Sequence, residues 1–174
     1  MARLPYARLD DTDKAPLVAR IVAERGSVLH LYQMLLHSPP LAEGWLAYLT
    51  AVRHQLGISG ALRELIIMRV AIVNGAPYEA DQHKPVALKE GVTPAQLDAL
   101  AQWEGAACFD ATERAVLRLT DAMTRDIHFA PEILAEVRDR LGERAAVEVA
   151  ATIAAYNMVS RFLEALQIRG DDPR

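Results

Sequence analysis

The chain has 174 residues, of which 52% are apolar and 24% charged, the make-up of a packed globular protein and not of a disordered segment. Its formal charge of -4 is spread without any block of like charges, so no basic stripe is offered to nucleic acid and no polybasic patch to a membrane surface. The single cysteine, Cys108, excludes an internal disulfide framework, a Cys-x-x-Cys redox pair and a cysteine zinc cage within one chain.

The opening MARLPYARLDDTDK carries acidic residues where a signal peptide needs an apolar run, and Glu148 interrupts the long Ala/Val stretch near 145–159. The expectation is a cytoplasmic protein with one domain over 1–174. Helical punctuation recurs along the chain, whereas alternating strand patterns with hairpin signals are absent, so the fold class is all-α. A first amphipathic helix runs from about Asp13 to Glu24 and stops at Gly26; Ser27 is positioned to cap a short apolar helix through Leu36. Pro39 and Pro40 break the chain and open a third helix, Leu41 to Gln55, with Leu41, Trp45, Tyr48, Leu49 and Val52 along one face.

Ser59 starts a fourth helix, apolar on most sides, which Asn74-Gly75 ends. Pro77 begins a fifth that Gly91 closes. So short a link forces helices four and five into an antiparallel pair. Thr93-Pro94 caps a sixth helix to Trp103, Asp110 with Glu113 a seventh through Arg125, and Pro131 an eighth that stops at Gly142. The ninth and longest covers Glu143 to Leu166, its centre almost uncharged, as suits a core or a subunit interface.

Glu79 and His83 are four residues apart and project from the same face of the fifth helix. Glu64 stands in the apolar run LRELIIMRVAIV, where a carboxylate is costly unless it faces a partner or a cavity. Counted outward from the turn at 74–76, at ~1.5 Å rise per residue, Glu64 and His83 differ in height by only about 4 to 5 Å and could meet across the hairpin. The alternative is a structural salt bridge of Glu64 with Arg63, Arg69 or Lys84. Tyr78, Tyr156, Asn157 and Arg161 are candidate pocket-lining groups, Tyr156 and Asn157 because polar groups in an apolar helix need partners. His30, His37, His54 and His128 are weaker candidates, and Cys108 reads as a small structural hydrophobe.

The stretch RELIIMRVAIVNGAPYEADQHKPVALKEGVT resembles the core hairpin of the carboxymuconolactone decarboxylase / alkylhydroperoxidase D-like superfamily. There a Glu, then Cys-x-x-Cys or Cys-x-x-Glu, then His recur on two antiparallel helices. That spacing falls on Glu64, Ala76, Glu79 and His83, so both redox positions hold residues incapable of thiol chemistry. The resemblance implies a multi-helix domain with a central antiparallel hairpin and a homo-oligomer (dimer, trimer or hexamer). It also implies acid-base chemistry, as in a decarboxylase, lyase or isomerase, on a small unsaturated carboxylated metabolite. In that reading His83 is the general acid/base, Glu64 orients and charges it, Glu79 faces the substrate, and no cofactor or metal is needed. Alternatives are an alkylhydroperoxidase-like antioxidant protein, a metal site built on Glu64, Glu79 and His83, and a non-catalytic oligomer.

Overall fold

A computed structural model describes residues 1–173 and contains, among them, helices and turns but no strand. The all-α expectation holds. The chain forms two compact units, Met1–Gln55 with Leu163–Arg174, and Leu56–Phe162.

The first unit holds α1 (Ala15–Arg25), α2 (His30–Leu35) and α3 (Pro39–His54), preceded by a 3-10 turn over Thr12–Lys14. Gly26 stops α1 with φ of 79°, the left-handed cap that glycine adopts without a Cβ penalty. Helix α2 begins later than the sequence suggests: Leu29, not Ser27, is its N-cap, with no side-chain hydrogen bond. All six of its residues are buried, so packing and not capping sets this short element. Helix α3 begins earlier, at Pro39, because both prolines are tolerated in a first turn whose N–H groups need no helical acceptor. Its buried face is Ala42, Trp45, Leu46, Leu49 and Val52, which leaves Leu41 and Tyr48 at the exposed margin.

The second unit is built on α4 (Gly60–Asn74), with α5 (Pro77–Lys89), α6 (Pro94–Ala99), α7 (Ala111–Arg125) and α8 (Pro131–Leu141) following. Helix α9 (Glu143–Leu166) starts in this unit. Ser59 caps α4 by accepting from the Leu62 N–H at 3.2 Å, and from Leu62 to Ala71 only Arg63 escapes full burial. Helix α4 packs chiefly on α5 and α7, and α7 in turn on α8. Gly75, at φ 62°, ends α4 in a Schellman turn, with Ala76 N–H donating to Ala71 C=O at 2.9 Å and Gly75 N–H to Ile72 C=O at 3.2 Å. Two residues thus separate α4 from α5, and the antiparallel pairing follows.

The expected sixth helix is shorter than the sequence suggests. It stops at Ala99 and continues as a 3-10 stretch, Leu100–Gly105, broken at Gln102. The Arg69 guanidinium accounts for this: it donates to the carbonyls of Leu100 and Ala101, both at 3.0 Å, where α-helical donors are missing. Leu65, Met68, Ala87, Val92, Leu100, Trp103, Phe109 and Leu117 form the apolar cluster under that turn. Glu148, the charge that interrupts the Ala/Val run of α9, accepts from the Gly57 N–H at 2.7 Å and the Ile58 N–H at 3.1 Å. Arg144 adds a third bond at 2.9 Å, so the buried carboxylate is spent on the loop before α4.

Candidate functional site

Glu64 reaches α5 from the second turn of α4 and is wholly buried, at 0% exposure. Its Oε2 lies 2.7 Å from His83 Nδ1, so the carboxylate and the imidazole meet across the hairpin. Arg63 donates from Nε to the other oxygen, Oε1, at 3.1 Å. Burial by itself would push the Glu64 carboxyl up. The hydrogen bond and charge of His83, with Arg63 behind them, outweigh it and hold the group below the ordinary glutamate value. An ionised Glu64 in turn favours a proton on the ring and fixes the tautomer through Nδ1.

Glu79, one turn before His83 on α5, is 2% exposed, and its carboxylate accepts from the Ser160 hydroxyl of α9. The ring of Tyr156, one turn before Ser160, meets the His83 ring edge-on with centroids 5.1 Å apart. Tyr156 and Ser160 therefore present one face of α9 to the acid and imidazole of α5. Asn157, 6% exposed, donates from Nδ2 to Thr124 Oγ1 and to the Ile153 carbonyl, both at 3.0 Å. Its Oδ1 accepts from Asn74 Nδ2 at 3.1 Å and from Arg161 Nη1 at 2.6 Å. Arg161 is thus an exposed guanidinium with one nitrogen anchored on a fully bonded amide.

Tyr78 is buried in the first turn of α5. At ~100° per residue it stands about 140° round that helix from His83. Of the partners considered for Glu64, Arg63 is the one engaged; Arg69 pairs instead with Asp121 of α7. Among the other histidines, His30 Nε2 lies 3.1 Å from the Asp172 carbonyl and His37 Nε2 2.7 Å from the Pro5 carbonyl. Cys108 is exposed, with Sγ 3.7 Å from the Ala95 carbonyl. Ala76, at the turn between the hairpin helices, is 2% exposed.

Sequence reasoning missed Ser160, Asn74 and Thr124. A hydroxyl four residues from Tyr156 on the same helical face was the one signal available for Ser160. Among the described residues no group of three or more His, Cys, Asp or Glu side chains is arranged to hold a metal ion, and no helix is long and apolar enough to cross a membrane. Two cavities, of about 710 Å³ around the N-terminal segment and about 670 Å³ between α8 and α9, are lined by residues other than Glu64, Glu79 and His83.

Fold and site together define an all-α protein that buries a carboxylate–imidazole pair within a helical hairpin. The pattern of the carboxymuconolactone decarboxylase family matches residues 39–122. That matched stretch, just under half of the chain, contains the hairpin, in which Ala76 and Glu79 stand where the resembled thiol pattern has its cysteines. Comparison with curated protein sequences gives no match. Among solved structures, one similar fold is the alkylhydroperoxidase AhpD core, an uncharacterized peroxidase-related protein from Ralstonia eutropha JMP134. It is 20% identical, with 98% of this chain and 93% of that one covered and a TM-score of 0.83. Another is the debrominase Bmp8 in complex with 2,3,4-tribromopyrrole, 22% identical, covering 95% and 89%, with a TM-score of 0.80. A third is an uncharacterized peroxidase-related protein from Silicibacter sp. TM1040, 18% identical over 95% and 88%, TM-score 0.81. At these identities the likeness is one of fold.

Proposed function

We propose that the protein is a thiol-independent acid-base enzyme of the cytoplasm, a decarboxylase or related lyase or isomerase, acting on a small unsaturated carboxylated metabolite. The observation that carries this reading is the 2.7 Å contact between His83 Nδ1 and a wholly buried Glu64 carboxylate. With Nδ1 committed to Glu64, the proton exchanged with substrate belongs to Nε2. As carbon dioxide leaves, the C–C electron pair passes into a dienolate; His83 protonates its carbon and regains a proton from water. Glu79, held by Ser160, is the second carboxylate of the site, and Tyr156 walls the imidazole. Arg161, braced by Asn157, receives the substrate carboxylate, since a guanidinium pairs with that group through parallel N–H bonds.

Turnover of unsaturated carboxylated lactones and β-keto acids tests the reading, with Cys108→Ser and Arg161→Met as comparison variants. The serine variant is expected to stay within about 3-fold of wild type, because an exposed lone thiol has no partner in this chemistry. Arg161→Met is expected to raise KM about 10-fold or more while leaving kcat less affected, as loss of a charge-assisted bond would. Hydroperoxide turnover with dithiol reductants that disappears in Cys108→Ser would overturn the proposal.

Assembly follows from the same family reading. Val147 is 69% exposed and Met158 37% on α9, and Val147 borders the apolar groove against α8. We propose that this face joins copies of the chain in a homo-oligomer. Sedimentation at micromolar concentration should show an oligomer that Val147→Glu dissociates; a monomeric wild type would refute it.

A further inference from the structure

The carboxylate of Glu64 is divided between two cations. Its Oε2 serves His83 at 2.7 Å and its Oε1 serves Arg63 Nε at 3.1 Å, so the carboxyl plane is fixed from both ends. The Arg63 side chain is only 11% exposed. Its far nitrogen, Nη2, lies 3.6 Å from Oε1 of Glu90, the residue that caps the C-terminus of α5, the helix carrying His83. The Glu90 carboxylate is held over the start of α4 because Gly60 has no side chain: a Cβ there would come within 1.7 Å of Glu90 Oε2. His83, Glu64, Arg63 and Glu90 thereby form a chain of charges that runs from the buried ring to a side chain 38% exposed.

We propose that Arg63 is a positioning residue that sets how tightly His83 holds its proton, acting through the carboxylate they share. This rests on the acid-base reading of the site. A buried carboxylate facing an imidazole alone would bind the proton as a closed ion pair and make the ring a poor donor. A second cation on the same carboxylate draws part of that charge away and repels the imidazolium, so the ring gives up its proton more readily. Glu90 works in the opposite sense by partly neutralising Arg63. Beside the pair stand Glu79, one turn before His83 on α5, and from α9 the Tyr156 ring, edge-on to His83, with the Ser160 hydroxyl donating to Glu79. Tyr156 and Ser160 carry no charge, and Arg161, the α9 cation of the proposed site, is exposed and anchored on Asn157 Oδ1 at 2.6 Å, so it is identical in every variant compared.

Titration of the His83 ring by NMR in the intact protein reads this directly, without a substrate. Arg63→Met should raise the His83 midpoint by about half a pH unit or more, Arg63→Lys by less, since the charge returns without the guanidinium fork. Glu90→Gln, a change at a half-exposed side chain that leaves the core intact, should lower it. Glu64→Gln should lower it further, because the anion itself is lost. A Glu64→Gln shift with no shift, or a fall, in Arg63→Met would overturn the role of Arg63 and leave the acid-base reading standing. No shift in Glu64→Gln would remove the reading itself. Should Arg63→Met fail to fold, the direction of the Glu90→Gln shift decides: a rise or no change refutes the proposal.

Discussion

Replacing Asp121 by Ala is expected to lower the free energy of unfolding by about 3 to 5 kcal/mol, because it strands a buried arginine charge. Arg69 is 4% exposed and Asp121 6%, and they meet through two bonds, Nε to Oδ1 at 2.5 Å and Nη2 to Oδ2 at 2.7 Å. Asp121 also accepts from Trp103 Nε1 at 3.2 Å, and Arg69 supports the carbonyls of Leu100 and Ala101. The loss therefore reaches beyond the pair to the 3-10 turn and the cluster beneath it. A urea midpoint that falls with an unchanged slope checks this, and a change under about 1 kcal/mol would mean that water already shares the charge. The double change Arg69→Met with Asp121→Leu should recover only part of the loss, since it removes the stranded charge but leaves the Leu100 and Ala101 carbonyls and Trp103 Nε1 without their partners.

That pair also bears on the site. Arg69 follows Glu64 by five residues on α4, about 140° further round the helix at ~100° per residue. One charge faces α7 while the other faces α5, so the ion pair with Asp121 pins the rotation of α4 that aims Glu64 at His83. Here the sequence was of limited help. Arg69 was recognisable as a charge in an apolar helix and stood among the candidate partners of Glu64. The choice of Asp121 depends on packing between elements 52 residues apart, which no local pattern encodes.

Local signals were more informative. The capping box at Asp110 and Glu113 forms as the spacing requires, with Asp110 Oδ1 accepting from Thr112 and Glu113 N–H at 2.7 and 2.8 Å. Gly26, Gly75 and Gly91 take positive φ at or just beyond the ends of α1, α4 and α5, where a glycine stop was read. The start of α3 and the end of α6 were misplaced because each depends on competition: a first-turn proline against a helix breaker, and a tertiary arginine against helical donors. In the site, the Glu64–His83 contact was legible because hairpin length and helix rise bound the geometry between two neighbouring helices. Ser160 was not, because it approaches Glu79 from a helix 81 residues away and looks, in an Ala-rich run, like any small residue.

Substituting His83 by Ala is expected to reduce turnover by about 100- to 10,000-fold at every pH, the usual contribution of a positioned general acid or base. The Glu64→Gln variant separates that role from a structural one, because it keeps the shape of the side chain and removes the anion beside Nδ1. In the wild type the carboxylate favours the imidazolium. Without it the ring loses its proton at lower pH, and the limb of the pH profile on which the protonated donor disappears moves to lower pH as well. Stability responds with the opposite dependence on acid. The Glu64 carboxyl is held below its ordinary value in the folded protein, first against burial and then by His83 and Arg63. Its contribution is therefore fully present above the unfolded glutamate pKa of ~4.3 and is lost as the pH falls through the lower folded value. Wild type should accordingly be more stable than Glu64→Gln near neutrality, and the two should converge in acid. Turnover by His83→Ala within about 3-fold of wild type, or a Glu64→Gln profile that superimposes on that of the wild type, would show that the imidazole of the hairpin is not the proton donor.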